Sequence, residues 1–233
     1  MIVAIQQPEH LPWIGFFNKM IQCDLFVYLD NVQFKRRYFE NRNRVKTSDG
    51  IKWLTVPVSS KGKFHQKIRD VLIDNWKPWK KKYKGLLELA YKKSSFWDDI
   101  KDIVFPCIEQ EHSKLIDLNL SLIEKCKEYL QIETTTVLAS SLEVDEFKGS
   151  DIILQICIKT HGATYISGPD GTDYLNHEDF DANDVIVKYH DFNHPDYPQI
   201  QGQFTSHMSI IDLIANCGPE SLKILQECYR VSH

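Results

Sequence analysis

Hydrophobic residues along this chain fall either into short unbroken runs or into longer runs of helical period, and the two kinds alternate near both ends. Residues 2–5 are apolar without interruption and stop at Gln6 and Gln7, as a strand buried on both faces requires. Between residues 13 and 21, Trp13, Ile14, Phe16, Phe17, Met20 and Ile21 form one helical face. A second buried strand is predicted over residues 25–29, ended by Asp30, and a third over residues 53–58, with Pro57 near its end.

The middle of the chain has only helical periodicity. A run from Lys77 to about Lys93 places Trp79, Tyr83, Leu86, Leu87 and Ala90 on one side and lysines on the other. Residues 97–108 and 115–130 continue the pattern, so residues 77–130 are expected to form a helical insertion. The alternation then returns. Strands are predicted over 134–138, 164–167 and 185–189, and helices over 151–160, 209–215 and 220–231, with Gly162 capping the first of these helices. Strands alternating with helices imply a single α/β domain over residues 1–233, its mainly parallel sheet covered by helices on both faces.

Composition narrows the function classes. A net charge of -4 over 233 residues gives no electrostatic footprint for nucleic acid. No run approaches the roughly 20 apolar residues of a membrane span, and residues 1–5 lack the basic flank of a secretory signal. The chain is therefore expected to be cytoplasmic, with its six cysteines reduced and packed as small apolar groups. Cys107 and His112 are too poorly aligned on a helix to act as a nucleophile pair.

Ligands of open α/β sheets bind at the carboxyl ends of strands, and the unusual residues of this chain cluster there. Four loops follow predicted strands: residues 6–15, 30–37, 168–175 and 190–195. The first is similar to the opening of the nucleotidylyltransferase superfamily, where a His-x-Gly-His element at a helix start stabilises a transferred phosphoryl group. Here Gly15 remains, but Leu11-Pro12-Trp13-Ile14 carries no paired imidazoles, and His10 stands earlier. The architecture is expected without that chemistry. Trp13 and Phe16 also fit a purely packing role. Arg36, Arg37, Arg42, Arg44 and Lys46 put five cations within eleven residues, which suits a diphosphate or a phosphopantetheine; a solvated basic edge strand is the alternative. The pair His190 and His194 lacks a third ligand on a rigid element, so no metal is expected; His194 is the better candidate for a general base.

Several segments together resemble the WbqC-like protein family. They are Gln7-Pro8 with Leu11-Pro12-Trp13 and Gly15-Phe16, Asp30-Asn31-Val32-Gln33-Phe34, Asn41-Arg42-Asn43-Arg44-Val45-Lys46-Thr47 and Trp53-Leu54-Thr55-Val56-Pro57-Val58. They continue with Ser167-Gly168-Pro169 and Tyr174-Leu175, His194-Pro195 with Tyr197-Pro198-Gln199, and Ser209 through Asp212 with Asn216 and Gly218-Pro219-Glu220. The resemblance implies a bacterial protein of surface-polysaccharide (O-antigen, lipopolysaccharide or capsule) synthesis, and a transferase that N-acylates an amino sugar with glycyl or another acyl group. Nucleotidyl transfer and a non-catalytic binding role in the same pathway are the competing readings. On the acyl-transfer reading His194 is the base, Asp30 an acid, base or orienting group, and backbone N–H groups at Ser167 and Gly168 the oxyanion donors. Arg42 and Arg44 hold a diphosphate, Trp13 or Tyr174 stacks on a ring, and Gln7, Gln33, Asn43 and Gln199 complete the binding set. The implied partners are a nucleotide-linked amino sugar and an activated donor, a carrier-protein or coenzyme A thioester, with no tightly bound cofactor. One departure matters: relatives commonly carry His before the Gln-Pro pair, where this chain has Gln6. Either His10 or His194 then serves as base, or that position only binds ligand.

Overall fold

A computed structural model of the protein describes residues 1–228. Five parallel strands form the main sheet in the order β5-β2-β1-β6-β7. These are β1 (Ile2–Gln6), β2 (Leu25–Tyr28), β5 (Thr135–Leu138), β6 (Thr164–Ser167) and β7 (Ile186–Tyr189). Alternate side chains serve opposite faces, as the two-residue period of a strand dictates. Ala4, Phe26, Tyr28 and Ile166 enter one apolar cluster, while Val3, Ile5, Val27 and Tyr165 enter the other.

Helices α5 (Ser150–Lys159) and α6 (His177–Ala182) cover the second face. The first is covered by α1 (Ile14–Met20), α2 (Trp79–Tyr91), α3 (Trp97–Glu109), α4 (Leu115–Tyr129), α7 (Ile210–Cys217) and α8 (Ser221–Glu227). The expected helical segment at 77–130 thus contributes to the same cluster as α1 and α7. The six cysteines are free and buried. Cys107 Sγ accepts a bond from Ser121 Oγ at 3.1 Å, while His112 Nε2 meets the backbone oxygen of Cys107 and not its sulfur.

Three expectations change. Residues 53–58 do not join the main sheet. Strand β4 (Gly50–Thr55) pairs antiparallel with β3 (Arg42–Thr47) in a separate hairpin, with Gly50 at φ +96° supplying the turn. Only Leu54 of β4 is buried, too little apolar surface for a central strand. The cap of α5 also differs: His161 takes the left-handed conformation (φ +55°), and Gly162 donates to the Cys157 carbonyl at 2.8 Å. Gly162 is needed for space instead, since a Cβ there would lie 2.6 Å from Val3 Cγ2. Helix α6 has no counterpart in the expected elements, being short and largely polar. The end of the last expected helix, residues 229–231, lies outside the described residues.

Strand β1 has β2, its successor in sequence, on one side and the distant β6 on the other. That reversal makes the carboxyl ends of β1 and β6, at Gln6 and Ser167, the topological switch point where crevices open.

Candidate functional site

A cavity of about 550 Å³ opens at this point. The end of β1 supplies Gln6, the β1–α1 loop Gln7, Glu9 and Trp13, and α1 Gly15 and Lys19. Lys35, Tyr38 and Phe39 come from the segment leading into the hairpin, Arg44 from its strand β3, Gly168 to Gly171 and Tyr174 from the loop after β6, and His190 and His207 from later loops.

The loop is held in a conformation that its sequence would not choose. Leu11 sits at φ +42° with its side chain wholly buried. Its carbonyl accepts bonds from Asn43 Nδ2 at 2.9 Å and Ser209 Oγ at 2.8 Å. Beside it, buried His10 donates from Nδ1 to Asn119 Oδ1 at 2.9 Å and accepts at Nε2 from Tyr83 O–H at 2.7 Å. The assignment follows from the Asn119 amide, whose Nδ2 donates to the carbonyls of Pro8 and Glu40. Burial brings the His10 imidazole down to about 4. Beyond the loop, the Trp13 ring folds back over Gly15, where a Cβ would lie 2.3 Å from Cη2.

Inside the cavity the decisive group is Glu9. Burial raises its carboxyl to about 7, a bond from Gln6 opposes the rise, Glu40 reinforces it and Lys19 opposes it. Glu9 Oε1 accepts from Gln6 Nε2 at 3.4 Å, and buried Oε2 has no partner. Lys19 is itself brought down to about 8 by burial, with Glu9 counteracting, and donates to the Ile5 carbonyl at 3.2 Å. His190 Nε2–H donates to Asn18 Oδ1 at 2.6 Å, leaving Nδ1 as the acceptor nitrogen. Burial, helped by Lys19, lowers this imidazole to about 4.

Of the expected residues, Gln7, Trp13, Arg44, Gly168 and Tyr174 line the cavity. The others do not. His10 is locked in the core by the bonds above. His194 lies behind Trp13 and beside His207, with ring centroids 6.4 and 5.0 Å away. Its Nδ1–H donates to the Pro195 carbonyl and its Nε2 accepts from the His207 N–H, each at 2.9 Å, so neither nitrogen is free to take a proton. Asp30 is buried and accepts from the Ser140 N–H at 2.9 Å. Asn43 anchors the first loop, and Ser167 turns its hydroxyl to the Gly168 carbonyl at 3.0 Å. Gln33 donates to the Phe64 carbonyl at 2.8 Å. Arg42 stacks on Trp53, 3.9 Å from the ring centroid. Gln199 donates to Asp212 at 2.7 Å, in a buried network with Tyr91 and Tyr197. Glu9, Lys19 and His207 were not distinguished by sequence pattern. The Gln6 departure three residues earlier is the available signal for Glu9.

Among the described residues no group of three or more His, Cys, Asp or Glu side chains is placed to hold a metal ion. Among them, too, no helix is long and apolar enough to cross a membrane.

The fold and cavity define an α/β protein with a polar cavity at the switch point of a parallel sheet. The chain belongs to the WbqC-like protein family, whose profile matches residues 7–224. It is 36% identical over 228 residues to the uncharacterized protein Rv1507c of Mycobacterium tuberculosis, covering 97% of this chain and 98% of that one. No solved structure matches it significantly.

Proposed function

We propose that this protein is a cytoplasmic transferase of bacterial surface-polysaccharide synthesis that moves a glycyl or other acyl group from a thioester onto the amine of a nucleotide-linked amino sugar. The observation that carries the reading is Glu9: a half-buried residue lining the cavity, whose buried Oε2 has no hydrogen-bond partner and whose proton affinity lies near neutrality. Such a group exchanges protons with a substrate at physiological pH. It stands three residues from Gln6, which cannot do so. The neutral amine attacks the thioester carbonyl, a C–N bond forms and the C–S bond breaks. The amine proton passes to Glu9 and on to the leaving thiolate. The Gly168 N–H faces the developing oxyanion, Arg44 and Lys35 hold the phosphates, and Trp13 or Tyr174 takes the ring.

The test mixes purified protein with amino-sugar nucleotides and glycyl thioesters and follows the mass gain of an amide. Turnover in the unsubstituted protein and a loss of at least about 100-fold in Glu9→Gln are expected, the scale of a lost general base. No mass gain across a broad donor panel rejects the reading.

The strand–loop–helix opening around Gln6 to Gly15 favours one alternative, nucleotidyl transfer on a nucleotidylyltransferase-like architecture. It requires binding of ATP or CTP with Mg²⁺, which calorimetry detects. The burial of His10 away from the cavity speaks against it.

A further inference from the structure

Residues 33–67 hold ten Lys and Arg against two acidic residues, Glu40 and Asp49, in a chain whose net charge is -4. Glu40 is buried, so it offers little to a partner at the surface. Lys35, Arg36, Arg37, Lys52, Lys61 and Lys63 are exposed, and of these only Lys35 lines the cavity. A small diphosphate seated beside Lys35 and Arg44 leaves most of this charge unanswered.

Four of the cations lie over aromatic rings: Lys35 over Tyr38 at 5.2 Å, Arg36 over Phe64 at 4.8 Å, Arg42 over Trp53 at 3.9 Å and Arg44 over Phe39 at 6.0 Å. A cation held against a ring keeps its charge and loses motion, so less entropy is lost when a carboxylate docks. The same pairing occupies one face of each ring, which a nucleobase would need for stacking. Carboxylates are thus the better match, and single-stranded nucleic acid the poorer one. The surface is continuous with the catalytic cavity: Tyr38 is exposed and lines it, and Phe39 lies between Tyr38 and Trp53, with centroids 5.1 and 5.9 Å away.

We infer that this basic ledge docks an acidic protein domain, the carrier that delivers the acyl group as a thioester on a flexible arm reaching past Tyr38 and Phe39 into the cavity. The inference rests on the acyl-transfer reading above. It adds no chemical step, since the thiol released stays on the carrier arm and the amide leaves with the sugar.

The test uses the full chain, an acidic acyl carrier protein loaded with glycine, and glycyl-pantetheine as a donor lacking the protein. The loaded carrier is expected to bind, with affinity falling steeply as salt rises from about 50 to about 300 mM because exposed charges are screened. Arg36→Glu with Arg37→Glu is expected to weaken carrier binding at least tenfold and to leave transfer from glycyl-pantetheine within about twofold. Lys61→Glu with Lys63→Glu provides a second charge reversal should the first fail to fold, as judged by circular dichroism. Absence of carrier binding at low salt, or equal binding by the folded reversal variants, overturns the inference. So does binding of a single-stranded RNA of matched charge without binding of the carrier. Transfer from glycyl-pantetheine without carrier binding removes the docking and keeps the acyl-transfer reading. Charge-sensitive carrier binding with no amide from either donor keeps the docking and removes that reading.

Discussion

At the scale of single residues, Glu9 and Gly15 show how surroundings decide chemistry. Burial is the main reason that the Glu9 carboxyl titrates near 7 and not near its ordinary 4.5. The carboxylate fraction, and with it a rate that needs a base, is expected to rise between about pH 6 and 8. That limb is expected to vanish in Glu9→Gln. The effect on stability has the opposite sense. A carboxyl whose folded value is raised favours folding fully below about 4.5, and this contribution is lost as pH rises through about 7. Gly15 is required by the Trp13 ring and not by its backbone. Gly15→Ala would set a methyl 2.3 Å from that ring. It is expected to displace Trp13 and lower kcat/KM at least tenfold, with circular dichroism unchanged.

At the scale of elements, the β1–α1 loop is fixed from outside itself. Leu11 at φ +42° persists because Asn43 and Ser209 bind its carbonyl and because its side chain is buried. His10 ties the same loop to α2 and α4 through Tyr83 and Asn119. His10→Ala removes packing and strands two buried polar groups, so a loss of about 3 kcal/mol in urea unfolding is expected. This is why a histidine beside Gln7-Pro8 resembles a catalytic group in the sequence and serves as a structural one. The hairpin gives the converse case. The cations around it were visible in the sequence as either a ligand patch or a basic strand, and the structure divides them: Arg44, on β3, reaches the cavity, while Arg36 and Arg37, ahead of the hairpin, stay outside its lining.

At the scale of the whole molecule, two neutral imidazoles set the response to acid. His10 and His190 are both held near 4 by burial, below the ordinary 6.5. A histidine with a depressed folded value contributes stability that is complete above about 6.5 and is lost progressively as pH falls to about 4, because the unfolded chain takes the proton first. The melting temperature is therefore expected to fall across that window, and His190→Asn is expected to flatten the slope. Asp145 acts in a separate, lower window. Bonds from Arg69, Asn31 and Lys67 hold its carboxyl well below the usual range, so its contribution fades only as pH drops below about 4.

By itself the sequence determined the α/β alternation, five of the seven strands as members of a parallel sheet, the helices around it, and the family. These follow from local hydrophobic period and from motifs that are contiguous along the chain. It also placed Gln7, Trp13, Gly168 and Tyr174 in loops at strand ends and Arg44 in a basic segment that could hold a ligand, and all five line the cavity. Only the tertiary structure decided which polar residues face that cavity. His10, Asp30 and Asn43 are as polar as Glu9, yet partners far away in sequence, Asn119, Ser140 and the Leu11 carbonyl, engage them. Glu9 acquires its proton affinity from burial, beside a Lys19 brought near by the return of α1 under the sheet. Burial and long-range partnership are properties of packing, and no local pattern of residue types encodes them.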